Sequence, residues 1–143
     1  MHKSIEIKHT LTKTKTFSYY INMPDNIDNL LDQILRFSRD REWEKFHTSK
    51  NLILALTSEL GELSEHFQWR NDEEIVEFLS NPENKARVEE EVADVAIYLI
   101  RLAQVMNIDL INAIRNKIEV NSLKYPIETS KGNATKYSER ENH

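Results

Sequence analysis

The sequence predicts an all-α fold, a bundle of four helices. Three observations carry that reading. Apolar residues recur at helical spacing in four stretches. A residue able to cap a helix stands before each stretch. Only 2 Gly and 3 Pro occur among 143 residues, which suits long helices joined by few tight turns.

Residues 1–24 carry the weakest pattern. Ile5 and Ile7 alternate with charged residues, and Thr alternates with Lys between Thr10 and Thr16. The segment reads as an N-terminal arm with some extended structure. Asp25 or Asn26 can cap a first helix over 27–41, whose inward stripe is Ile27, Leu31, Ile34 and Phe37 or Ser38. An aromatic-rich connector with Trp43, Phe46 and His47 follows. Thr48 or Ser49 can cap a second helix over 50–69. Gly61 inside it costs about 1 kcal/mol relative to Ala, so its presence predicts close approach of a helix, ligand or metal.

Residues 71–80 form an acidic connector with room for a short helix over 73–79. Asn81 as cap and Pro82 in the favoured first position open a third helix over 83–106. From Val92 to Val105 it is apolar nearly all round, so it should lie centrally or in a subunit interface. Ile97 and Ile100 point away from the Val88, Val92, Leu99 stripe, which predicts a second buried face and an oligomer. Asp109 caps a fourth helix over 110–123, ended by Tyr125-Pro126, and residues 127–143 read as a polar tail. The organisation is therefore an arm over 1–24, one domain over 25–126 and a tail over 127–143.

A net charge of −5 argues against binding polymeric nucleic acid. The absence of cysteine removes disulfide and thiolate chemistry. No apolar run is long enough to span a membrane, and no signal-peptide core is present. The reading is a soluble, cytoplasmic chain. An organellar import segment stays open, since residues 1–24 hold four Lys and one acid, though no Arg.

The chemistry is concentrated in two short runs. In Ser58-Glu-Leu-Gly-Glu-Leu-Ser-Glu65, Glu59 and Glu62 are three residues apart, and in Glu89-Glu-Glu-Val-Ala-Asp94 so are Glu91 and Asp94. That spacing places each pair on one helix face. On the helical wheel Glu59 falls inside the apolar stripe Leu52, Leu56, Leu60, Leu63, Phe67, and Glu62 sits at its shoulder. Glu65 falls on the opposite side and reads as a solvated surface residue. An acid on an apolar face is costly unless it is paired or bound to a cation. Two carboxylates about 4 Å apart repel by roughly 4 kcal/mol at an effective dielectric near 20. Facing pairs therefore predict a site for Mg²⁺ or Mn²⁺, cations that take oxygen ligands and commonly bridge to phosphate.

Glu59-x-x-Glu62, a 28-residue spacer and Glu91-x-x-Asp94 resemble the signature of the all-α nucleoside triphosphate pyrophosphohydrolases, the MazG-like group. Trp43, Phe46-His47, Asn51-Leu52, Phe67-Gln68-Trp69, Val95-x-Ile97-Tyr98-Leu99, Lys117, Asn121 and Tyr125-Pro126 are similar to its dCTP pyrophosphatase branch. The resemblance covers residues 27–137. It implies water attack on the α-phosphorus of a dNTP, giving dNMP and pyrophosphate, as in clearing unwanted nucleotides from the pool. It implies Mg²⁺ held by Glu59, Glu62, Glu91 and Asp94, and a homotetramer built as a dimer of dimers. Trp43, His47 and Trp69 would line a base-stacking box; Tyr98, Lys117, Asn121 and Tyr125 would meet the substrate. Ile34 stands where the branch often carries His, which leaves the choice of base open.

Three readings compete. The first is a dCTP-like pyrophosphohydrolase. The second is the same reaction on another base, such as uracil or a damaged base. The third is a non-enzymatic helical oligomer or adaptor whose acids only form salt bridges. A di-iron bundle is set aside, because His66 follows Glu62 by four residues and no His follows Glu91 at the required three.

Overall fold

The computed structural model describes residues 26–132. They group into two compact units, divided between Leu102 and Ala103. The first unit holds α1 (Ile27–Arg39), a 3₁₀ turn (Trp43–Lys45), α2 (Ser49–Glu65), α3 (Asp72–Ser80) and most of α4 (Pro82–Val105). The second holds the end of α4, α5 (Leu110–Lys124) and α6 (Ile127–Ser130). The all-α class holds among the described residues. The four expected helices are present, and α3 and α6 add two shorter ones. Residues 1–24, expected as an arm, and most of the tail lie outside the described residues.

Side-chain caps set the helix starts. Asn26 Oδ1 accepts the Asn29 N–H at 2.8 Å, so Asn26 caps α1. Thr48 Oγ1 accepts the Asn51 N–H at 3.2 Å and opens α2. Asn71 and Glu74 form a reciprocal capping box at α3, with bonds of 2.9 and 2.8 Å. Asn81 Oδ1 accepts the Glu83 N–H at 2.9 Å beside Pro82, and Asp109 Oδ1 accepts the Asn112 N–H at 3.0 Å. Each such cap contributes about 1 kcal/mol. The second helix ends at Glu65, four residues before the expected Trp69, and a turn follows in which the Phe67 and Gln68 N–H groups both donate to the Ser64 carbonyl.

The buried core of the first unit is small. Leu52 is 1% exposed, and Leu56 and Ile34 join it. Ser38 and Arg101 are buried polar residues in the same unit. Ile97 lines a cleft and is still 39% exposed, and Val92 and Leu99 are exposed as well, so α4 carries apolar side chains on more than one exposed face. Gly61 faces open space: a Cβ placed there would meet nothing within 4 Å. Among the described residues no single helix is long and apolar enough to cross a membrane.

Candidate active site

The first unit brings two features side by side, an acidic cluster and an apolar cleft. The cluster comes from the i, i+3 spacing already visible in the sequence. Glu59 and Glu62 on α2 and Glu91 on α4 each offer a carboxylate oxygen, all within 4.8 Å of one another. Glu59 and Glu91 are half-buried and Glu62 is exposed. Burial pushes the Glu59 pKa up, and the charges of Glu62, Asp94 and Glu91 push it in the same direction. An oxygen-only trio in mutual repulsion fits a hard divalent cation. Asp94 is outside the trio, yet its charge acts on Glu59.

The cleft has a volume of about 440 Å³. Its first wall is the α1 face of Leu30, Gln33, Ile34, Phe37 and Ser38, spaced at three and four residues as a helix requires. Its second wall is the α4 face of Asp94, Ile97, Tyr98 and Arg101, and Trp43 and His47 close one side. Asp94 thus links the two features: it lines the cleft, and its charge acts on Glu59 of the cluster.

The side carrying Trp43 is built around one backbone constraint. Glu42 adopts φ 54°, a left-handed conformation uncommon for a residue with a Cβ, and turns the chain from α1 into the 3₁₀ turn. Trp43 then meets Phe37 edge-on, ring centroids 5.7 Å apart, and His47 at 6.2 Å. The Arg41 guanidinium lies 3.6 Å above the Phe37 ring and donates to the Phe37 carbonyl at 3.0 Å. Trp43 remains 42% exposed, so its ring is available to a ligand. His47 Nδ1 accepts from Arg101 Nε at 3.4 Å. Burial lowers the His47 pKa, Arg101 lowers it further, and Glu44 opposes them.

The remaining predicted residues are elsewhere. Trp69 follows α2 and is 86% exposed, outside the cleft lining. Lys117, Asn121 and Tyr125 belong to the second unit. Lys117 and Asn121 are exposed, four residues apart on α5. Tyr125 caps that helix, its N–H donating to the Asn121 carbonyl at 2.8 Å, with Lys124 Nζ 5.7 Å from its ring. Sequence reasoning missed Leu30, Gln33, Phe37 and Arg101 as cleft residues. Arg101 had a signal: it continues the face of Asp94, Ile97 and Tyr98 at helical spacing, and an arginine there needs a partner.

Comparison with known proteins adds to this geometry. Residues 54–139 match the MazG-like family. A dCTP pyrophosphatase 1 from Bos taurus is 38% identical over 128 residues, 90% of this chain and 75% of that protein. The Rattus norvegicus dCTP pyrophosphatase 1 is 43% identical over 103 residues, 72% of this chain and 61% of that protein. The chain therefore spans about three fifths of the length of the rat relative. A crystal structure of a pyrophosphatase from Archaeoglobus fulgidus DSM 4304 matches at 42% identity and a TM-score of 0.65, covering 73% of this chain and 96% of that one.

Proposed function

Because the chain belongs to the MazG-like family, we propose that it is a divalent-metal-dependent pyrophosphohydrolase of deoxynucleoside triphosphates, acting on dCTP or a modified dCTP. One observation carries the reading: Asp94 lines an aromatic-walled cleft and acts through its charge on the adjoining acidic cluster. The cluster suits the metal–triphosphate end of a nucleotide, and the cleft suits its base. The relatives' names, dCTP pyrophosphatase 1, favour cytosine.

Glu59, Glu62 and Glu91, with Asp94, would hold Mg²⁺ or Mn²⁺. When bound, the cation neutralises charge on the phosphates. The base stacks on Trp43 between the apolar walls. Tyr98 offers its hydroxyl one turn beyond Asp94, and the resemblance adds Lys117, Asn121 and Tyr125 as candidate substrate contacts. A carboxylate orients a water and takes up its proton as the water oxygen bonds to the α-phosphorus. The bond to the bridging oxygen breaks, and dNMP and pyrophosphate leave. Such chemistry needs positioning and charge neutralisation rather than a covalent intermediate.

The active form in this reading is a homotetramer, a dimer of dimers. Support comes from apolar side chains that one chain leaves in water: Leu54 at 61%, Val76 at 71% and Trp69 at 86% exposure. An assembly in which one subunit lends Trp69 to another's cleft would complete the aromatic box. A second reading keeps the reaction and changes the base. Ile34, buried in the cleft wall, presents hydrocarbon to the ligand and makes no hydrogen bond that would select cytosine.

A release assay over all dNTPs with Mg²⁺, coupled to inorganic pyrophosphatase, tests the proposal. Pyrophosphate should appear from dCTP faster than from the other dNTPs. Faster turnover of another base would favour the second reading. No release from any dNTP would overturn both and favour a non-enzymatic helical oligomer or adaptor.

A further inference from the structure

Arg101 is the charged side chain most deeply buried among the described residues, at 3% exposure, and it lines the cleft together with Trp43 and His47. Its Nε–H can only donate, because a guanidinium carries five N–H groups and no acceptor. It donates to His47 Nδ1 at 3.4 Å. That nitrogen therefore carries no proton, and the neutral imidazole has its single proton on Nε2. A second proton on Nδ1 would set two donors against each other and two cations side by side.

We propose that Arg101 is a positioning residue: it holds His47 as the Nε2–H tautomer, so that the cleft offers a fixed hydrogen-bond donor to an acceptor atom of the bound base. The inference rests on the cleft being the nucleotide site. The acceptor belongs to the base because His47 is grouped with Trp43 and Phe37, whereas the acids are built on α2 and α4. A carbonyl oxygen or unprotonated ring nitrogen is the chemistry recognised. A base edge carrying only donors at that position would be rejected, since a buried donor facing a donor loses its bond altogether.

The surrounding charges agree with this assignment. Arg101 on α4 disfavours protonation of His47 and Glu44 in the 3₁₀ turn favours it, with burial on the side of Arg101. Arg39 from α1 and Glu44 both act on Arg101, and Asp94 and Tyr98 line the same cleft. Burial lowers the Arg101 pKa too, and a guanidinium stays protonated at neutral pH all the same.

Long-range ¹H–¹⁵N correlation spectra of the ligand-free, ¹⁵N-labelled full chain test the tautomer directly, with His47 assigned by comparison with His47→Gln. The wild type should show a protonated Nε2, a bare Nδ1 and a titration midpoint below the ordinary histidine value of about 6.5. In Arg101→Met the two tautomers should mix and the midpoint should rise; Arg101→Lys should keep the midpoint nearer the wild type because it keeps the charge. A protonated Nδ1 in the wild type, or an unchanged tautomer and midpoint in Arg101→Met, would overturn the proposal. The wild-type spectrum decides even if Arg101→Met does not fold. These spectra need no turnover, so a failure of the proposed enzymatic activity would be seen separately. Kinetics then read the consequence. His47→Phe, with neither donor nor acceptor, should raise KM about tenfold with a smaller change in kcat. His47→Gln, which can accept from Arg101 and donate to the base, should raise KM less. Equal KM for the Gln and Phe variants would also count against the proposal.

Discussion

The acidic cluster and the apolar cleft sit in one unit and are linked through Asp94, yet they are built by opposite means. The cluster needs two helices and two short sequence runs, Glu59 with Glu62 and Glu91 near Asp94. The cleft takes its walls from α1 and the 3₁₀ turn, adjacent in sequence, and from α4, tens of residues further on. The cluster is repulsive in the free protein, where burial and neighbouring carboxylates raise the Glu59 pKa. The cleft is already satisfied, with Trp43 against Phe37 and Arg101 bonded to His47. The difference teaches where charge and where contact dominate: the acids repel one another, while the cleft residues are bonded and packed among themselves.

The largest effects should come from the acids. Removing divalent metal with EDTA should abolish dNTP hydrolysis. Glu59→Gln and Glu91→Gln keep shape but each removes one charge, and each should lower kcat/KM by about 10²–10³ while far-ultraviolet circular dichroism stays helical. Wild-type turnover in both variants would separate the cluster from the chemistry.

The cleft should respond more weakly and in a different parameter. Trp43→Ala should raise KM for dCTP more than it lowers kcat, because stacking acts on bound substrate and transition state alike. One lost stack is worth roughly 1–3 kcal/mol, about 5- to 150-fold. Trp69→Ala sharpens the contrast. Trp69 is 86% exposed in the single chain, so a KM effect matching that of Trp43 would require another subunit to bring it to the cleft. Ile97→Glu should damage the cleft itself, since Ile97 lines it, and Val92→Glu is therefore the cleaner probe of a subunit face.

Gly61 sits between Glu59 and Glu62 of α2 and gives a smaller effect. With nothing within 4 Å of its Cβ position, Gly61→Ala should stabilise the metal-free chain by about 1 kcal/mol, read in urea unfolding. Destabilisation instead would mean that a second subunit packs on that face.

The smallest effect concerns pH. A carboxyl whose folded pKa is raised contributes stability that is fully present below its unfolded value and lost as pH rises through the folded one. For Glu59 the loss begins near the ordinary value of 4.5. Without metal, the thermal midpoint should fall slightly as pH rises through that region, and Glu59→Gln should reduce the fall. Adding Mg²⁺ at pH 7 should raise the wild-type midpoint and leave Glu59→Gln less changed.

The helices were legible because their signals are local. Asn26, Thr48, Asn81 and Asp109 each bond a backbone N–H two or three residues ahead, a pattern readable without tertiary information. The trio Glu59, Glu62 and Glu91 was legible for a related reason: i, i+3 spacing fixes a helix face. The cleft was only half legible. Trp43, His47 and Tyr98 stood out by residue type, but Leu30, Gln33 and Phe37 looked like ordinary residues of an amphipathic helix. Which side of α4 is inward also escaped, because a helix apolar on most sides gives the wheel no preferred direction. Gly61 was the least legible: a helical glycine predicts close approach of a helix, ligand or metal, and among the described residues a Cβ there would meet nothing within 4 Å.

Whether cluster and cleft act as one site is measured most directly by binding. A non-hydrolysable dCTP analogue should be titrated calorimetrically into wild type and Glu59→Gln, with and without Mg²⁺. If the acids and the cleft share a ligand, Mg²⁺ and the analogue must strengthen each other's binding by the same factor. We expect Mg²⁺ to tighten the analogue at least about tenfold in the wild type and far less in Glu59→Gln. An identical gain in both proteins, or no gain in either, would contradict a shared site.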